Sequence, residues 1–534
     1  MRWCIITLVL LAVSDCSGNS AARIVPTGGA AAKAACAGAI VDPGNDAVVQ
    51  RVLDRSPAGA TFCFQAGRYR FANPIAPKKG QRLIAVSRAA ILDGAKIIAG
   101  FRRAGSNYVA TGYLQGGRAS SSNCIVPDSQ CDTPQDVFLD GAPLARVTSQ
   151  GALKPGSFYE DFSANRIWLH DDPGGHLVEQ AFAPALVLSP NGGVVVSGFT
   201  VEEAATPAQH GAIEASNYAG AGWTITGNLV RYNHAAGIAT FPEDESQSGS
   251  LIAGNVVESN GQEGISVQGS GSTVSHNALV ANNRVGYSCY WECGGAKFGA
   301  GNGFEVENLT VIGNDVRDNQ GSGLWIDINS YNVKFIGNHI YGNRQSLPSS
   351  GQQIGAGILL EISDKVLVAN NDVENNGPSG TAANQANYYQ GAQIEISATA
   401  NARVANNRVV GAGGIGMLQQ DRSDSYTFGA KYSSTYPDGT PVCPHLYRGR
   451  PIHWLHDNQI RNNDIREIAL PGYAEVAGID SDLRNDFVVF SAANKNVWAE
   501  NAYTLRAPGG AYFSWLNQLV NLHTWESYGQ DDSH

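Results

Sequence analysis

Residues 255–286 read NVVESNGQEGISVQGSGSTVSHNALVANNRVG, and the phrase returns on itself after 22 residues, with Asn255 and Asn260 answered by Asn277 and Asn282. Working outward, the same pair stands at Asn228 and Asn233, Asn314 and Asn319, Asn338 and Asn343, and Asn371 and Asn376; Asn407 opens a further copy without the second asparagine. The gaps between first asparagines are 27, 22, 37, 24 and 33 residues, so the unit is near 22 and the surplus enters as insertions. Each copy also has a glycine before a short apolar strand, at Gly237, Gly264, Gly286, Gly323, Gly357, Gly391 and Gly414. A unit this short cannot bury its apolar face alone and must stack on its neighbours. Asparagines in matching turns of stacked coils can hand hydrogen bonds along the stack, so both columns are expected to be structural. The expected fold is therefore all-β, a solenoid of short parallel strands.

Composition agrees. Lysine, arginine, aspartate and glutamate together make up 16% of the 534 residues, while glycine reaches 62. Such a balance favours turn-dense β structure over helical bundles. The formal net charge of -11, with no run of basic residues, excludes nucleic acid as a natural partner. Arg2 and the apolar run Ile5–Val13 have the length and flanks of a secretory signal peptide, too short to span a bilayer. The chain is thus expected to be exported, secreted, periplasmic or at the cell surface. Cys16, after Val13, Ser14 and Asp15, resembles a lipoprotein cleavage box with an aspartate where a small residue is usual, which makes it a candidate for a lipid anchor. In an exported chain cysteines pair, and proximity suggests Cys36 with Cys63 and Cys124 with Cys131; Cys289 and Cys293 lack the second ligand pair of a structural zinc site.

Upstream, Val48, Val49, Val52 and Leu53 share one face of a short helix suited to capping the solenoid. The segments ATFCFQAGRYRF (60–71) and QRLIAVSRAAILDG (81–94) resemble the entry coil of the pectate-lyase-like superfamily. With VFLDGAPLARV (137–147), GSFYEDFSANRIWLHDDP (156–173) and the asparagine repeats, the chain is similar to bacterial right-handed parallel β-helix repeat proteins over most of its length. The organisation expected is a signal peptide at 1–22, an N-terminal cap and first coils at 23–100, and an inserted β subdomain at 101–185. The β-helix core then runs over 186–421, an insertion loop over 422–451, and the last coils with a C-terminal cap over 452–534.

Side chains alternate along a strand. Counted from the repeat glycines, Leu324, Ile326, Ile358, Leu360, Ile394 and Ile396 point inward, and Asp327, Glu361 and Glu395 form an outward column. Equivalent residues of neighbouring coils lie about 4.8 Å apart, so a cation, solvent or shared protons must relieve the repulsion. The same parity sets Ser288, Tyr290 and Glu292 outward and leads through Gly294 and Gly295 to Lys297; Trp325, beside Asp327, is expected to be an exposed stacking platform for a sugar. His210, His234, His276 and His339 are read as turn residues, and Gln419–Arg422 as one end of a groove.

Glu292 followed five residues later by Lys297 resembles the calcium-and-lysine arrangement of β-helical lyases of the alginate and chondroitin type. That resemblance implies Glu292 as a Ca2+ ligand and Lys297 as the base, and it asks for an arginine on the next coil, where Arg317 is available; the outward faces add Asp327 and Glu361 as further Ca2+ ligands and Tyr290, Trp325, Glu395 and Arg317 as candidate substrate-binding residues. Three functions follow as alternatives: a polysaccharide lyase acting on a uronic-acid glycan by β-elimination, a glycoside hydrolase using two of the carboxylates, and a non-catalytic glycan-binding or adhesin-like surface protein.

Overall fold

The computed structural model describes residues 36–532 apart from 114–122, 127–130, 132, 219–220, 243–248, 300–304, 348–352, 378–391, most of 423–444, 468–474 and 484–485. The signal-peptide segment, Cys16, Gly391 and most of the insertion loop fall outside the described residues. The chain divides into Met1–Cys36 and Ala37–His534, and everything below concerns the second unit.

That unit is a right-handed parallel β-helix. Three long sheets, of 13, 12 and 12 strands, run its length, each strand hydrogen-bonded to its counterpart one coil earlier and one coil later. The strands are mostly three to five residues long, and their inward residues, such as Ile265, Leu324, Leu360 and Ile396, form one continuous core. The sheet that contains Leu324–Ile326, Ile358–Glu361 and Ile394–Ser397 carries the candidate site and is called the site sheet below.

The asparagine columns are two buried ladders. Asn277 Oδ1 accepts the backbone N–H of Asn255 at 3.0 Å and its Nδ2 at 3.0 Å, while Asn255 Nδ2 also donates to Ile225 O at 2.9 Å. Each rung thereby satisfies a turn N–H that would otherwise be buried without a partner. The first ladder runs on through Asn314, Asn338, Asn371 and Asn407 to Asn463 and Asn501, and Asp531 closes it. The residue before a rung is left-handed, as at Gly254 (φ 64°) and His276 (φ 53°), which is why His276 belongs to a turn.

The second ladder explains the repeat glycine. A Cβ added to Gly323 would lie 3.0 Å from Asn343 Nδ2 and 2.7 Å from Gly357 O, so the rung occupies the space of a side chain. The coil of Asn407 lacks this rung, since Ala412 stands five residues after Asn407. There Gln393 takes the glycine's place in the register, and its Oε1 accepts Asn376 N at 2.9 Å and Asn376 Nδ2 at 3.1 Å. The glutamine also donates to Ala412 O at 2.8 Å, completing the ladder from the opposite side of the turn.

At the N-terminal end the helix Asp46–Arg55 buries Val49 and Leu53, and Asn45 caps it. A separate pair of sheets, of four and five strands between Ala95 and Ala181, contains antiparallel pairings and has its own core of Val137, Phe158, Ile167 and Leu169. Trp525, on the C-terminal helix Leu522–Ser527, packs against Trp498, Phe513 and Trp515. Cys124 is bonded to Cys131 and Cys289 to Cys293. Among the described residues no helix is long and apolar enough to cross a membrane.

Candidate active site

Register decides which side chains meet. The strand of the coil before Asp327 is Gly294–Phe298, with Ala296 opposite Leu324 and Lys297 opposite Trp325. The glycine in phase with Gly323 is therefore Gly295 and not Gly286, and Cys289–Cys293 is a disulfide-closed loop and not a strand face. The counting from Gly391 fails in the same way: Glu395 pairs with Leu359, while Glu361 pairs with Ser397. Glu395 is fully buried and stands outside the Asp327–Glu361 column, which continues through Ser397.

These corrections bring Glu292, Lys297, Asp327, Trp325 and Glu361 into one network. Lys297 Nζ lies 3.0 Å from Glu292 Oε1 and 3.1 Å from Asp327 Oδ2, and 4.0 Å above the Trp325 ring centroid. Trp325 Nε1 donates to Glu361 Oε2 at 3.1 Å, and Arg422 forms an ion pair with Glu361 Oε1. Arg422 also donates to Gln420 Oε1 at 3.0 Å. On the other side Gln209 bonds Glu292 Oε2, and Gln262 donates to Glu292 O at 3.3 Å. The signs along this line run carboxylate, ammonium, carboxylate, carboxyl, guanidinium.

Burial, reinforced by the charge of Asp327 and opposed by Arg422 and Lys297, pushes Glu361 up to about 7. Against the pull of burial, Glu292 and Asp327 hold Lys297 above the usual lysine range, as an ammonium. Glu263, on the preceding coil, is driven well above the usual carboxyl range by burial and by Glu292.

Several expectations change. Trp325 does sit beside Asp327 on the strand, but it is 2% exposed and covered by Lys297, so it is no open stacking platform. Tyr290, at 57% exposure on the disulfide loop, is the aromatic that faces solvent. Arg317 belongs to a different sheet and pairs with Asp315 and Asp318, away from the network. The three residues expected to hold calcium do not fit it: Glu292 and Asp327 already bind the Lys297 ammonium, and Glu361 the Arg422 guanidinium. His210 pairs with Glu214, His234 with Asp136, and His339 stands near Asp315 and Glu374.

Gln209, Gln262 and Glu263 carry no motif that marks them in the sequence. Nor does a second convergence of buried acids, Asp93, Glu179 and Glu203, whose ligand oxygens lie within 4.8 Å of one another. Arg68 and Arg70 pair with Asp93, and Arg70 with Glu179, while burial and the neighbouring acids push Glu203 up to about 9.

The family described as the right-handed beta helix region matches residues 211–409. No curated protein matches the chain by sequence. Among solved structures, a complex of XylC with xylose is similar over 88% of this chain and 87% of its own, with TM-score 0.57 and 14% identity. A glycoside hydrolase is similar over 72% of this chain and 95% of its own, with TM-score 0.50 and 11% identity. The A-module of the Azotobacter vinelandii mannuronan C-5 epimerase AlgE6 covers 89% and is itself covered to 94%, with TM-score 0.47 and 12% identity. At these identities the likeness is one of fold.

Proposed function

We propose that this chain is an exported enzyme that cleaves a polysaccharide, a glycoside hydrolase with Glu361 as general acid and Asp327 as nucleophile. The carrying observation is the contrast between two side chains on adjacent coils. Asp327 is ion-paired to the Lys297 ammonium 3.1 Å away, whereas Glu361, although paired with Arg422, is pushed up to about 7 by burial and by the charge of Asp327. A raised carboxyl beside an ion-paired carboxylate is what acid and nucleophile require. Glu361 gives its proton to the glycosidic oxygen as the bond to the anomeric carbon breaks and Asp327 bonds that carbon. Water then displaces Asp327, and Glu361 takes the proton back. Lys297 and Trp325 hold the pair in place.

The lyase reading asks Lys297 to act as a base, which needs a neutral amine, and two carboxylates hold it charged. The xylose complex and the glycoside hydrolase support a sugar substrate for this fold. The disulfides support export. The test is incubation of the purified chain with a panel of neutral and uronate polysaccharides, following reducing ends and absorbance near 235 nm together. Reducing ends without absorbance, lost in Glu361→Gln, are expected. New absorbance would restore the lyase, and silence on every substrate would favour a glycan-binding surface.

A further inference from the structure

We propose that a cavity on the 13-stranded sheet, one turn along the chain from Glu361, is a second binding site, one that takes the anionic groups of a charged glycan. Register fixes where it lies. Glu361 ends its strand on the site sheet, and the chain turns through Asp364 and Lys365 into Leu367–Ala369 of the 13-stranded sheet. The cavity, of about 400 Å3, opens where such turns from four coils enter that sheet. Two columns line it. On the strands, Leu367, Arg403 and Gln459 stand opposite one another on successive coils, and Lys334 precedes them in the same register. In the turns, two residues earlier each time, are Asn332, Lys365, Asn401 and Asp457, all left-handed at φ 54°, 54°, 53° and 53°.

The strand column supplies charge. Lys334 and Arg403 are exposed, and among the described residues neither side chain has an ion-pair partner. They stand two coils apart, about 10 Å along the stack. By contrast Arg317, Arg408 and Arg466, outward on the next sheet, each pair with acids. The carboxylate that lines the cavity, Asp457, is already answered by Lys495 at 3.2 Å and by His456 Nδ1 at 2.9 Å. Buried Asp364 accepts Asn401 Nδ2 at 3.1 Å on both oxygens. Lys365 Nζ donates to Tyr331 Oη at 2.6 Å, which holds the ammonium in place. Asparagine and aspartate adopt left-handed backbone readily and lysine less so, so Lys365 keeps a charge where the turn favours an amide.

The lining selects the ligand. Guanidinium and ammonium groups take a carboxylate or a sulfate, while Asn332, Asn401 and Gln459 offer amide donors and acceptors for hydroxyls. The two columns repeat at the rise of one coil, which suits a polymer laid along the stack. The apolar lining is Val366 and Leu367, too little to seat an acyl chain or a protein interface. In a chain of formal net charge -11, this local surplus of cations gives an anionic polymer a place to bind. The inference does not rest on the hydrolase reading, since binding is read without turnover.

The test is affinity electrophoresis of the purified full-length chain through polygalacturonate, its carboxyl-reduced form, dextran sulfate and dextran. Retardation by at least one anionic polymer and by neither neutral one is expected; polygalacturonate alone assigns a carboxylate, dextran sulfate alone a sulfate, and both assign either anion. Lys334→Gln and Arg403→Gln should each weaken binding at least threefold, and added salt should weaken it further. Arg466→Gln, which removes the same charge from another sheet, should leave it unchanged. Carbodiimide coupling of the wild-type chain to polygalacturonate, or periodate-oxidised dextran sulfate coupled through its aldehydes, should mark Lys334 or Lys365, which keeps the test valid if a variant misfolds. Retardation by the neutral polymers, none by either anionic one, indifference to both substitutions, or tighter binding to phosphatidylglycerol vesicles than to either glycan overturns the proposal.

Discussion

Replacing Gln393 with alanine tests whether one side chain completes the second ladder. The substitution removes the acceptor of Asn376 N, at 2.9 Å, and the donor to Ala412 O, at 2.8 Å; Asn376 Nδ2 keeps Ile340 O at 3.0 Å. The Asn376 N–H and the carbonyls of Ala412, Asn376 and Gly377 each lose the Gln393 side chain; a buried group left unpaired costs about 1–3 kcal/mol, and a water entering the vacated space recovers part of that. The expected loss is about 3 kcal/mol. The double variant Gln393→Gly with Ala412→Asn rebuilds the rung as it exists at Gly357 and Asn376, and should return to within about 1 kcal/mol of wild type. Guanidinium unfolding followed by tryptophan fluorescence gives the magnitude, and hydrogen exchange at Asn376 localises it. The reasoning fails if the alanine variant is within about 0.5 kcal/mol of wild type, or if the double variant is no more stable than the single.

Other outcomes follow from the site. Glu361 ionises at about 7 when folded against 4.5 as a free side chain, so the folded state holds the extra proton between these values. Stability should therefore fall as pH rises through that window, by up to about 3 kcal/mol, and Glu361→Gln should flatten the slope of a pH-dependent melting series. The hydrolysis rate should fall as pH rises through about 7, as the acid loses its proton. Lys297→Met leaves Glu292 and Asp327 facing each other without the ammonium, and should cost about 3–5 kcal/mol in chemical denaturation. Opening the Cys289–Cys293 loop by replacing both cysteines with serine should cost about 2 kcal/mol for so short a ring, and should lower kcat by releasing Glu292 from Lys297.

The fold was legible because the asparagines that build it recur at fixed places in matching turns. The same repeat hid its later rungs, since insertions of irregular length carry the first ladder on to Asn463 and Asn501. The site was legible in its residues more than in its geometry. Glu292, Lys297, Asp327 and Glu361 do converge, but the parity that linked them ran through the wrong glycines. Gly286 and Gly391 look like repeat glycines, yet a disulfide loop lengthens one coil and Gln393 replaces the glycine in another. No local pattern distinguishes those cases. The burial of Trp325 beneath Lys297, and the approach of Gln209 and Arg422 from far along the chain, depend on tertiary packing that periodicity does not encode.

In the proposed reaction Asp327 and Glu361, one coil and about 4.8 Å of backbone spacing apart, act as nucleophile and acid. Side chains that keep this spacing leave no room for a water between them and the sugar, so retention at the anomeric carbon is expected. Proton NMR of the first product released from an active substrate reads this directly. A product with the anomeric configuration of the substrate is expected, and an inverted anomer or an unsaturated sugar would contradict the account.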